Sequence, residues 1–332
     1  PRAGEVGIEA WHSVCTPFAP SNAPGAIAVI QLRSSTGVSL DSALRAMGLP
    51  ALDVGGMTVR RVLDVDECVV ARWGESCVHI MPHAGRAVLR AMIEALQRIG
   101  TQGDEASDPA GRYPEVRDVI DACLCEALAR AASPLAADVL CMHADRWRAG
   151  AGDVLDDGSE HARALSRLLT PPVVVGWGPA NVGKSSVLNA LARRAVSIVA
   201  DQPGTTRDHV GATLELDGLT VRWIDAPGLG HAGTPEDAGA MRLAEAALAS
   251  AELVVLMGDR SSGMPDPPAG YPGHAIRCAT RCDLGILPDA DVVTSAGTGE
   301  GIHDLARAVR RALAPDAAVR SAGRWRFSAF LS

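Results

Sequence analysis

Residues 178–186 read Gly178-Pro-Ala-Asn181-Val182-Gly183-Lys184-Ser185-Ser186, a G-x-x-x-x-G-K-[ST] spacing. That spacing predicts a phosphate-binding loop. Its glycines let successive backbone N–H groups curl around an anion, and a helix opening at its end adds favourable partial charge. Lys184 would reach the β- and γ-phosphates of a nucleotide, and the Ser185 hydroxyl would bind Mg2+. Of the 31 basic residues in the chain, thirty are Arg and one is Lys184. A compact ammonium fits inside such a loop and a broad planar guanidinium does not. The lone lysine therefore marks the position where Arg is no substitute.

Further clusters follow in chain order. Pro203-Gly-Thr205-Thr206-Arg-Asp208 offers a hydroxyl to complete the Mg2+ shell and a backbone N–H near the γ-phosphate. Asp225-Ala-Pro-Gly228 follows an apolar run, so Asp225 is placed to hold Mg2+ through water and Gly228 to offer its N–H to the γ-phosphate. Thr280-Arg281-Cys282-Asp283 would select the base, because a carboxylate accepts two hydrogen bonds from a guanine edge and repels the corresponding edge of adenine. Ser295-Ala296-Gly297 would support the base through backbone N–H groups.

These clusters need a frame. From Pro171 onward, strand and helix patterns alternate, which implies an α/β domain on a mostly parallel sheet. Strands are expected over 173–176, 221–224, 253–257 and 291–294, and helices near 184–193, 236–250 and 301–313. Upstream, β-rich runs at 26–32, 68–71 and 77–81 accompany a helix over 86–99, whose Val88, Met92, Ala95, Leu96 and Ile99 share one face. A polar linker over 100–114 then leads to helices at 116–132 and 135–147, broken at Ser133-Pro134, and to a short helix ending near Leu169. The expected organisation is a small α+β domain over 1–104, a short helical domain over 114–169, an α/β domain over 171–315 and a tail over 316–332. The tail, with Trp325 and Phe327, reads as a frayed end packing one aromatic.

Composition narrows the classes further. The chain has 332 residues, 47% of them apolar, and a net charge of −8. This excludes a disordered chain and argues against non-specific coating of nucleic acid. No apolar run approaches the ~20 residues of a membrane helix. Eight cysteines without a C-x-x-C pair read as reduced thiols of a cytoplasmic protein. Cys278 and Cys282 are expected to pack rather than react. His79 and His83 are four apart, but Pro82 and the strand pattern place them on a strand and a turn rather than in a metal site.

The P-G-T-T-R-D loop and the Asn181-Val-Gly-Lys-Ser-Ser-Val-Leu-Asn189 run resemble the Era/TrmE branch of the Ras-like TRAFAC GTPases. Cys15-Thr-Pro17, Gly25-Ala-Ile-Ala-Val-Ile30, Cys77-Val-His-Ile-Met-Pro-His83 and the segment 118–132 narrow the resemblance to the MnmE/TrmE family of tRNA-modification GTPases. It implies a Ras-like P-loop GTPase domain that binds GTP/GDP with Mg2+ and K+ and hydrolyses GTP. It also implies a homodimer through the N-terminal domain, a folate one-carbon donor there, and action on the tRNA wobble uridine with an FAD-dependent partner. Carried onto this chain, Asn181 would be the K+ ligand. Leu229 stands where Ras-like enzymes orient water with Gln, so Glu236 would orient the attacking water instead, through a second water.

The departures are Thr280 for Asn and Arg281 for Lys in the base motif, and Gln31 for Arg in the folate segment. The loop 18–24 is not glycine-rich, which leaves folate open. The helical domain is about half the family's size, and the chain reaches Ser332 without the family's C-terminal cysteine motif. A shortened relative that keeps only GTPase switching, as a regulatory or binding module, is the alternative reading. An ATP-using P-loop enzyme is disfavoured by Asp283 and Ser295-Ala296.

Overall fold

Alternation and continuous apolar runs separate the strands into two kinds, and the computed structural model puts them in two different sheets. It describes residues 10–14, 26–35, 39–103, 113, 116, 118–194, 211–225, 246–268, 270–271 and 273–331. The chain divides into two compact units, 1–125 and 126–332.

The first unit holds β1 (Ala10–Val14), β2 (Ile30–Ser34), α1 (Asp41–Ala46), β3 (Met57–Val62), β4 (Asp66–Gly74), β5 (Cys77–Met81), α2 (Arg86–Arg98) and β6 (Gln102–Gly103). The sheet order is β3-β4-β5-β2-β1-β6, antiparallel except for the β1–β6 pair. Along β4, Cys68, Val70 and Arg72 are buried while Glu67 and Trp73 are exposed, the period-2 pattern of a sheet covered on one face. Ile30, Leu32, Val70, Val78 and Ile80 pack with Leu44, Leu89, Met92 and Leu96 into one core. Arg72 is admitted to that core because its guanidinium donates to Asp41, Glu75, Ser39 and the Leu52 carbonyl. The expected strand over 26–32 starts only at Ile30, since Ile27 makes a single bridge to His83 and is exposed.

The second helix pair of the chain is α3 (Val119–Arg130) and α4 (Pro134–Ala149), and the division between the units falls within α3. Pro134 occupies the first turn of α4, where its missing N–H costs nothing, and Gly150 ends it at φ 60°. Next comes α5 (Glu160–Ser166), capped by the Ser159 hydroxyl, which accepts from Ala162 N–H at 3.1 Å.

The second sheet comprises β7 (Val173–Trp177), β8 (Gly211–Leu216), β9 (Leu219–Asp225), β10 (Leu253–Gly258), β11 (Ala275–Ala279) and β12 (Val292–Val293), accompanied by α6 (Lys184–Arg194), α7 (Ile302–Leu313) and α8 (Asp316–Val319). Its order is β12-β11-β10-β7-β9-β8, parallel throughout except for the β8–β9 hairpin. Asp217 and Gly218 both take positive φ in that hairpin turn, the conformation that matches the strand twist. Every residue of β7 and β10 is buried, as expected for parallel strands covered on both faces.

The tail corrects the frayed-end expectation. Trp325, Phe327 and Leu331 are buried, Trp325 against His143 of α4 and Phe327 against Trp325. Trp147 Nε1–H donates to the Trp325 carbonyl at 2.8 Å, Trp325 N–H donates to His143 Nδ1 at 3.1 Å, and the Arg324 guanidinium lies over the Trp147 ring. Arg146 donates to the Ser321 carbonyl, and Leu155 N–H to that of Arg324. Sequence alone does not show which side chains of this segment face inward. Among the described residues, no helix is long and apolar enough to cross a membrane.

Candidate functional site

The C-terminal edge of the second sheet gathers the phosphate loop, Asp225 and the 280–283 and 295–297 clusters. β7 delivers the chain into Gly178, where any Cβ would collide with the Met257 carbonyl oxygen of the adjacent strand. The loop then turns through Asn181 at φ 64° and Gly183 at φ 97°, and α6 begins at Lys184. Lys184 folds back over this loop: its Nζ donates to the carbonyls of Gly178 at 3.1 Å and Pro179 at 2.9 Å. Burial lowers the Lys184 pKa, and the Asp225 carboxylate works in the other direction. A polyanionic ligand in the loop would reinforce the charged form.

Asp225 ends β9, the strand beside β7. The Ser185 hydroxyl donates to Asp225 Oδ2 at 2.6 Å. Asp225 Oδ1 is buried with no hydrogen-bond partner among the described residues. A hydroxyl and a carboxylate with an unused buried oxygen are the hard oxygen donors that Mg2+ takes, so this pair fits that ion.

The base loop is tied directly to the phosphate loop. Thr280 is buried; its hydroxyl donates to the Val182 carbonyl at 2.5 Å, and its N–H donates to the Gly258 carbonyl at 2.8 Å. Thr280 thus joins the two loops. Asp283 lies in the exposed 3-10 turn Cys282–Leu284, and its Oδ1 accepts from the Ser295 hydroxyl at 2.6 Å. Ser295 N–H is turned to the Glu300 carbonyl at 3.0 Å, so it is the Ser295 hydroxyl, and not the backbone group expected from sequence, that meets Asp283. Ala296 and Gly297 follow in the same turn. Ser186 is exposed on the first turn of α6.

Thr205, Thr206, Gly228 and Glu236 lie outside the described residues. One polar residue of this edge was missed from sequence: Asp259, directly after β10, which is buried and pairs with Arg281. Its signal was a carboxylate at the end of an entirely apolar strand, the position Asp225 also occupies.

The remaining sequence candidates are dispersed. His79 sits on β5, where its Nδ1 accepts from Trp73 Nε1–H at 2.8 Å and its Nε2 lies 3.1 Å from Gln31 Nε2. His83 instead meets Asp66, at 3.0 Å. No group of three or more metal-ligating side chains occurs among the described residues. Cys278 is buried beneath the base loop, and burial pushes its thiol up to about 11.

A family model described as 50S ribosome-binding GTPase matches residues 173–270, which include the phosphate loop and Asp225. The chain is also similar to Era from Aquifex aeolicus in a GDP.AlF4-bound crystal structure, with 21% identity over 42% of this chain and 56% of that one, and a TM-score of 0.33. The tRNA modification GTPase MnmE of Acidiphilium cryptum (strain JF-5) is 43% identical over 44% of this chain, an alignment that spans 34% of that relative. The chain thus covers about a third of that protein's length. The tRNA modification GTPase MnmE of Methylobacterium radiotolerans is 31% identical over 90% of this chain and 81% of the relative. With a P-loop GTPase domain in its second unit and a likeness over 90% of its residues, the chain belongs to the MnmE family of tRNA modification GTPases.

Proposed function

We propose that the chain hydrolyses GTP to GDP and phosphate at the C-terminal edge of the second sheet, and acts in tRNA wobble-uridine modification. The observation that carries the first part is the Ser185–Asp225 contact beside Lys184, in a phosphate loop that Thr280 joins to the loop presenting the Asp283 carboxylate. Lys184 would leave its loop carbonyls for the β- and γ-phosphate oxygens, which accept from it more strongly because they are charged. Ser185 and Asp225 would hold Mg2+, which supplies charge neutralisation at the β- and γ-phosphates. Backbone N–H groups of 181–186 would orient the phosphates for in-line attack. Asp283, held by Ser295, would accept from the guanine edge. Thr205, Thr206 and Gly228 would respond to the γ-phosphate, Asn181 would ligate K+, and Glu236 would orient the attacking water.

The family likeness supports a wider setting: a homodimer formed through the first unit, a folate one-carbon donor bound there, an FAD-dependent partner, tRNA as the macromolecule acted on, and a cytoplasmic location. The domain limits proposed for this reading are 1–104, 114–169, 171–315 and 316–332.

Two measurements test the proposal. Phosphate release is compared for GTP and ATP in K+ and in Na+. The reading expects GTP turnover that K+ accelerates, and potassium-independent ATP hydrolysis would overturn it. Deleting the chain from its host should lower wobble-uridine modification, and unchanged tRNA would sink the second part.

A further inference from the structure

Asp259 is bound on every side. Its Oδ1 accepts from Ser261 N–H at 3.0 Å, the Ser261 hydroxyl at 2.7 Å, Ser262 N–H at 2.9 Å and the Ser262 hydroxyl at 2.8 Å. Its Oδ2 faces Arg281 Nη1 at 3.4 Å. Burial works against the charge, but the Ser261 and Ser262 donors outweigh it and hold the carboxyl at about 2. The residue is therefore an anion at any working pH, clamped by its own turn.

Arg281 is constrained as well. Its φ of 53° lies in the left-handed region that non-glycine residues seldom enter, and it starts the turn carrying Asp283. Its stem runs past the phosphate loop: a Cβ added at Gly183 would sit 3.8 Å from Arg281 Nε and 3.9 Å from Arg281 Cγ. The side chain thus crosses from the base loop to the phosphate loop with its head turned to Asp259.

We propose that Asp259 is a positioning residue for the nucleotide: by holding the Arg281 guanidinium, it fixes the Arg281 stem against Gly183 as a preformed wall for the face of the base. The inference rests on the guanine-nucleotide reading above. Its benefit is preorganisation, because an arginine ordered beforehand need not be ordered on binding, a gain of about threefold to tenfold in affinity. A wall acts on the plane of the base and not on its edge. Losing it therefore weakens guanine and hypoxanthine nucleotides by the same factor, whereas Asp283 distinguishes them.

The test titrates GDP and IDP with Mg2+ into the full chain and into Asp259→Asn, Arg281→Met and the double variant. It also measures KM and kcat for GTP. Each single variant should bind GDP and IDP about threefold to tenfold more weakly by one common factor, and KM should rise with kcat moving less than twofold. The double variant should bind no more weakly than Arg281→Met alone, since both changes release the same side chain. Asp259→Glu, which keeps the charge, should recover part of the loss. Unchanged affinity in Asp259→Asn, or additive losses in the double variant, would overturn the proposal while leaving the guanine reading intact. If the unaltered chain bound neither GDP nor IDP, the guanine reading itself would fail, and this proposal with it. Should Asp259→Asn melt too low to titrate, Arg281→Met carries the test: its side chain is nearly half exposed, and an unchanged Kd there overturns the proposal equally.

Discussion

The two sheets of this chain solve the same problem, where to put polar groups, in opposite ways. In the first, antiparallel pairing sets the polar side chains of Arg33 and His79, both part-exposed among the described residues, on the face opposite Ile30, Leu32 and Ile80. In the second, β7 and β10 are buried along their whole length, so no residue of their faces is available for chemistry. The polar groups are pushed to where the strands stop: Lys184 and Ser185 after β7, Asp225 at the end of β9, Asp259 after β10, and Thr280 to Asp283 after β11. A parallel sheet thereby brings residues far apart in sequence to one edge, the general place for ligands in open α/β sheets. An antiparallel sheet offers a surface instead.

That contrast can be broken by experiment. The largest effect should fall on the edge. Lys184→Ala is expected to lower GTP turnover by about a thousandfold or more, the range typical of losing one aligned charge at a phosphoryl-transfer site. Its melting temperature should stay close to that of the parent, since among the described residues Lys184 donates to two loop carbonyls. Phosphate release and calorimetry check both halves.

Next comes the interior of the same sheet. Leu256→Ala on β10 removes a buried side chain packed with Val175, Trp177 and Val254, and should cost about 2–5 kcal/mol in chemical denaturation. A loss below 1 kcal/mol would mean that the second sheet is not the closed interior described above.

Acid should then separate the units. His143, in the second unit, is fully buried, and desolvation, followed by the nearby Arg146 charge, lowers its pKa to about 4 from 6.5. His12, in the first unit, is also buried, bonded to the Thr101 hydroxyl and lowered by desolvation. Both histidines are neutral in the fold and take up a proton more readily once unfolded. Their contribution is thus intact above about pH 6.5 and is lost as pH falls from there towards the folded pKa. For His143 that loss amounts to on the order of 3 kcal/mol by pH 4. His143→Gln should flatten this slope in the second unit and leave the first unit's acid response unchanged, read by hydrogen exchange of each unit.

The smallest change is expected on the part-exposed face of the first sheet. Trp73 is half exposed and makes one hydrogen bond, to His79, so Trp73→Ala should cost about 0.5–1.5 kcal/mol in dilute protein. A larger loss that grew with protein concentration would identify this face as the one covered in a homodimer.

How far sequence reaches can be read from individual residues. Lys184 was legible because two independent signals converged on it: the glycine spacing of the loop and its being the one lysine in a chain of arginines. Asp225 and Asp283 were legible because each follows an apolar strand within a fixed order of motifs. The Ser295 N–H was misjudged, since whether a backbone donor is spent on a turn depends on the path of the chain after it, here towards Glu300. The tail was misjudged for a related reason. Trp325 and Phe327 look like a short aromatic end until α4 supplies His143 and Trp147 as partners, 182 and 178 residues earlier in the chain.

Local patterns thus determined the periods of the strands, the phosphate loop and the place of its lysine, because those depend on residues a few positions apart. Only the tertiary structure decided which distant groups share an edge. Thr280 reaching Val182, Asp259 holding Arg281, and the tail closing on α4 are each set by strand order and packing, and no spacing along the chain encodes them. The physical reason is that a hydrogen bond or an ion pair needs a partner within about 3–4 Å, and sequence fixes such distances only within one element.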